Sequence, residues 1–115
     1  MARIPLVPIE CPTPWAILPI EMVWTAADNI NGNSIAFTGK DVLLVRNDNV
    51  GAQMVTVSSA PDKYGRSGDQ THLVPAGEYW VFGAPFPAVG WQQADSLLWV
   101  DGAAADVFFC VIRIR

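Results

Sequence analysis

Val42-Leu43-Leu44-Val45-Arg46, then Asn47-Asp48-Asn49-Val50-Gly51, then Gln53-Met54-Val55-Thr56-Val57-Ser58: this stretch decides the fold. The first run is a short apolar strand, and the polar cluster after it is a turn. The third run alternates with period two, placing Met54 and Thr56 on one face and Val55 and Val57 on the other. The same grammar extends in both directions. Upstream, Asn31-Gly32-Asn33 is a turn signal before Ile35-Ala36-Phe37 and Thr38-Gly39-Lys40. Downstream come a long polar loop over 60–70, a strand over 71–74, a Pro75-Ala76-Gly77 turn and a strand over 78–82. A second loop over 83–96 carries Pro85, Pro87, Gly90 and Trp91, and strands over 97–100 and 107–114 flank Gly102. No segment carries an apolar stripe of helical period. About seven or eight strands with frequent turn signals predict an all-β sandwich or small barrel.

Composition narrows the class further. The chain has 115 residues, enough for one domain with a real core. Hydrophobic residues make up 51% and charged residues 16%, a balance that excludes disorder and leaves apolar surface to spare. Five Trp and five Phe exceed what a small core hides, and surplus apolar surface marks protein interfaces. The formal charge is -4 and the seven Lys and Arg are scattered, so the electrostatic footprint of a nucleic-acid binder or an anionic-membrane binder is missing.

Residues 1–21, MARIPLVPIECPTPWAILPIE, differ in kind from residues 22–115. Pro5, Pro8, Pro12, Pro14 and Pro19 fix φ and remove backbone donors, so this segment is expected to run extended and to be barred from a central strand. The same prolines break the h-region of a signal peptide, so the chain is expected to start at or near Met1 in a reducing cytoplasm. Ile4, Leu6, Ile9, Trp15 and Ile17 punctuate the prolines with apolar side chains. Two readings stand: a strap across the chain's own core, or an arm docked on a neighbouring subunit with Trp15 as its anchor. The strands at 97–100 and 107–112 are apolar on both faces, which predicts that Trp99 and Phe109 face either the arm or another subunit, with Trp91 displayed on its loop.

Chemistry is sparse. His72 is the only histidine, and Ser67, Asp69 and His72 lack a nucleophile elbow or oxyanion-hole motif around them. Asp28 to Asn33 resembles a calcium loop superficially. With Gly32 at the sixth position, however, Ala27 and Thr38 occupy the positions that need acids. Cys11 and Cys110 with one His do not make a structural zinc site, and no dinucleotide or P-loop motif occurs. The reading is a non-enzyme without cofactor or metal, whose two cysteines are thiols.

Trp24-Thr25-Ala26-Ala27-Asp28, Asn31-Gly32-Asn33-Ser34, Leu43-Leu44-Val45-Arg46-Asn47, Tyr64-Gly65-Arg66-Ser67-Gly68-Asp69, Val74-Pro75-Ala76-Gly77-Glu78 and Val81-Phe82-Gly83 with Pro85-Phe86-Pro87 occur in that order. This series, spanning Met22 to Ile114, resembles small structural proteins of tailed-bacteriophage virions. The resemblance implies a jelly-roll-like sandwich with an extended proline-rich arm. It also implies a capsid decoration (cement) protein on the outer surface of the head, bound to the major capsid protein and to itself as a homotrimer. A second implication is a tail or head–tail component that binds host-surface glycans through Tyr64 or Trp91.

Overall fold

The computed structural model describes residues 3–12, 15, 19–61, 65, 68–82 and 86–114. Every regular element among them is a strand: β1 (Ile4–Pro5), β2 (Ile9–Glu10), β3 (Thr25–Ala26), β4 (Asn33–Ala36), β5 (Asp41–Asn47), β6 (Gln53–Ser58), β7 (Gln70–Val74), β8 (Tyr79–Phe82), β9 (Leu97–Gly102) and β10 (Val107–Arg113). They form two mixed sheets. One runs β1-β4-β9-β6-β7, and the other runs β2-β10-β5-β8 with β3 also paired to β10. Without β1 and β2 the orders are 4-9-6-7 and 3-10-5-8, and each successive strand changes sheet except at β6 to β7. This is the eight-stranded jelly roll, in which two antiparallel sheets share one core.

The period-two runs become the two faces of each sheet. Leu43 and Val45 of β5 and Val107, Phe109 and Val111 of β10 point inward from one sheet. Ile35, Val55, Val57, Leu98 and Val100 meet them from the other. Burying an aliphatic side chain of this size contributes about 1.5–3 kcal/mol, so this interior layer is what holds the sheets together. The strands overrun two of the expected turns. Asn47 ends β5, buried, and donates from Nδ2 to the carbonyls of Gly51 at 3.0 Å and Val74 at 2.9 Å. Gly102 ends β9.

Residues 3–11 belong to the sandwich. β1 pairs in parallel with β4, Ile4 opposite Asn33, and β2 pairs in parallel with β10, Ile9 opposite Ile112. Prolines tolerate these positions because an edge strand needs donors on one side only. Ile4 N–H donates to Gly32 O at 3.0 Å, Leu6 N–H to Ser34 O at 2.7 Å, and Cys11 N–H to Arg113 O at 2.8 Å. Arg3 locks the start of the strap with both Nη atoms on the Asp101 carboxylate, at 2.8 and 3.2 Å, and its guanidinium lies over the Trp99 ring. Gly32, at φ 77°, sits beneath that ion pair, where an added Cβ would lie 2.5 Å from Arg3 Nη1 and from Asp101 Oδ1.

Candidate interaction surface

The side of the sandwich opposite the strap is bounded by β7 and β8, the last strands of their sheets. Its local architecture follows from the Pro75-Ala76-Gly77 turn. Gly77, at φ 74°, donates to Asn47 O at 2.8 Å, while Asn47 N–H donates to Glu78 O at 3.1 Å and Glu78 N–H to Pro75 O at 3.2 Å. That is a bulge with glycine in the left-handed region, and it launches β8 along β5 with Trp80 opposite Val45 and Val81 opposite Leu44.

β8 alternates like any strand, but all four of its side chains are apolar or aromatic. Phe82 enters the core. Trp80 leans toward β7, where its ring centroid lies 4.0 Å from that of His72, so this pair closes the gap between the sheets. Tyr79 and Val81 face outward and are 66% and 57% exposed. With Met22, Trp24 and Leu44 they line an apolar groove of about 180 Å³. Trp24 meets Tyr79 edge to face at 5.9 Å and is held from behind by Arg46, whose guanidinium also covers Phe108. The groove has the size of a side chain, below the several hundred Å³ usual for small-molecule sites. Met54 and Leu73, a cross-strand pair on the outer face of the other sheet, are exposed as well.

The interface residues expected from sequence are scattered by the fold. Leu6 and Phe109 are 5% and 1% exposed and belong to the core, so neither can contact a partner. Both faces of β10 read as apolar, and the chain itself covers part of its outer face: the Arg46 guanidinium lies over Phe108, and Cys110 is buried. Trp91 is half-buried, its ring edge-to-face with Phe86 at 4.9 Å and packed on the core, and is not displayed for sugar stacking. Trp99 lies beneath Arg3 and donates from Nε1 to Asp95 at 3.0 Å. Ile4 is exposed on β1, Ile9 is half-buried on β2, and Trp15 stands 93% exposed. Ile17 and Tyr64 lie outside the described residues. The residues that sequence reading passed over are Met22, Trp24, Tyr79, Trp80 and Val81. Their signal was present, since 79–82 is apolar on both faces like the strands at 97–100 and 107–112.

The chemical candidates resolve into structural roles. His72 lies half-buried within β7, against Trp80. Asp69 accepts from Ser59 N–H at 2.9 Å, and Ser67 lies outside the described residues. Asp28 Oδ1 accepts from the N–H groups of Ile30 at 3.0 Å and Asn31 at 2.9 Å. Those backbone bonds, Asn31 foremost, hold its carboxyl below the ordinary aspartate range. Burial pushes the Cys110 thiol up, and neither cysteine is in a disulfide. Among the described residues no group of three or more His, Cys, Asp or Glu is placed to hold a metal ion, and no helix is long and apolar enough to cross a membrane.

Comparison with protein-family models, curated proteins and solved structures returns no match for this chain.

Proposed function

We propose that this chain is a phage capsid decoration (cement) protein, an assembly component that binds the outer surface of the head and reinforces contacts between capsomers. Its partners in this reading are the major capsid protein and further copies of itself. The observation that carries the reading is the exposed apolar surface of Met22, Tyr79, Trp80 and Val81 on a charge-poor chain. A cement protein needs a stiff frame and dry contact area, and the two-sheet core with a bare apolar margin supplies both. The jelly roll supports it by analogy alone, being an architecture that viral capsid and lectin domains use.

The test is location. Antibody raised against the chain, with gold label, should decorate whole heads of the particles that contain it. Label confined to one vertex favours the tail or head–tail role, and particles that carry no label overturn the virion reading altogether.

A further inference from the structure

We infer that two copies of this chain pair through β8, edge to edge about a two-fold axis, so that the β10-β5-β8 sheet runs on into its copy. The inference does not depend on the capsid reading. It rests on which backbone groups β8 leaves open and on what fits them.

The bond from Asn47 N–H to Glu78 O fixes the phase of the β5–β8 ladder. In an antiparallel pair, hydrogen-bonded and non-hydrogen-bonded positions alternate. Trp80 and Phe82 therefore bond inward to Val45 and Leu43, while Tyr79 and Val81 turn N–H and C=O to the open side. Neither proline nor lysine lies within 79–82, and these are the usual devices that blunt an edge.

A second β8 fits the most of those groups in one antiparallel register. With Trp80 opposite its own copy, Tyr79 of each chain lies opposite Val81 of the other, and both exchange backbone hydrogen bonds. The same register satisfies the faces. Tyr79 and Val81 are outward in each copy, so each aromatic ring meets a β-branched neighbour on the outer face, a favourable cross-strand pair. It also sets Tyr79 of one copy beside the groove wall of the other, lengthening the apolar strip lined by Met22, Trp24 and Leu44. Glu78 falls opposite Phe82 of the other copy, so the two carboxylates are not opposed. A shift by one residue would pair inward with outward side chains and bonded with unbonded backbone, while a shift by two keeps the faces but leaves a single bonded pair within 79–82 in place of two, which is why the register centred on Trp80 is favoured. The contact uses one patch on both chains and closes at two copies, unlike the threefold arrangement implied by the resemblance.

Sedimentation of the full chain over a concentration series tests this, with Val81→Pro and Trp80→Cys beside it. Val81 N–H points away from β5, so proline there removes a donor to the second copy and none within the chain. The wild type should pass from monomer to dimer mass. Val81→Pro should keep its far-ultraviolet circular dichroism and raise the dissociation midpoint by more than about tenfold. Trp80→Cys should form a disulfide-linked dimer on mild oxidation, because a non-hydrogen-bonded pair brings Cα atoms to about 4.5 Å, within disulfide range. A wild type that is monomeric or trimeric throughout overturns the inference, as does a dimer whose midpoint Val81→Pro leaves in place. Should Val81→Pro unfold, the cross-link decides: no more dimer from Trp80→Cys than from the wild-type cysteines contradicts the pairing.

Discussion

Along one side of the sandwich the chain's own N-terminal segment closes the edges of both sheets, β1 on β4 and β2 with β3 on β10. Along the other, β7 and β8 end in open backbone. The closed side is secured by long-range contacts of several kinds: the Leu6 side chain in the core, the Arg3–Asp101 ion pair over Trp99, and Asn33 Nδ2 on the Ile4 carbonyl at 3.2 Å. The open side has, among the described residues, the cross-sheet ring contacts of His72 with Trp80 and with Phe82. An open edge is a template for another strand, so this chain seals one pair of edges with its own backbone and leaves the other pair available for pairing.

If that division holds, mutations on the two sides differ in kind. The largest effect is expected at Leu6→Ala, which empties a core position beneath the strap. It should lower unfolding free energy by about 2–5 kcal/mol in a denaturant titration. Gly32→Ala comes next. It forces a side chain into the left-handed region and against the Arg3–Asp101 pair, at a cost of about 1–3 kcal/mol, and should loosen β1 first. On the open side, Val81→Lys should leave the stability of the dilute protein within about 0.5 kcal/mol of wild type, because the side chain already faces water.

How far the sequence shows this asymmetry depends on the range of the interaction. Period two and turn chemistry are local, so the strands around Val42–Ser58 and the Pro75-Ala76-Gly77 turn were legible. The prolines also confined residues 3–11 to sheet edges, as they must. That residues 3–11 pair with their own sandwich could not be read from the sequence, because it depends on Arg3 meeting Asp101 and Ile9 meeting Ile112, far apart along the chain. Phe109 was misassigned for a different reason. In β10 both parities are apolar, so alternation separates Phe108 from Phe109 without saying which faces the core. The exposed apolar patch at Tyr79–Val81 carries the same two-faced signature, and only the position of β8 at the end of its sheet distinguishes it from interior strands.

The smallest expected effect is electrostatic. The Asp28 carboxyl is held below its ordinary range by the Asn31 and Ile30 N–H groups, so it binds protons less readily folded than unfolded. Its contribution is present above the unfolded value and lost as pH falls through the lowered one. The difference in denaturation midpoint between wild type and Asp28→Asn should therefore shrink on acidification into that window and stay constant near neutrality. A difference that grows with acid would contradict the assignment.

Residue-resolved hydrogen exchange on the dilute chain bears most directly on the division between the two sides. The amides of Ile4, Leu6 and Cys11, each bonded to the sandwich by the strap, should exchange slowly, approaching the rates of global unfolding. Those of Tyr79 and Val81, turned to the open edge, should exchange near the unprotected rate and slow only as concentration rises. Leu6 exchanging as fast as Tyr79 would mean that the strap does not seal its side, and the account would fail there.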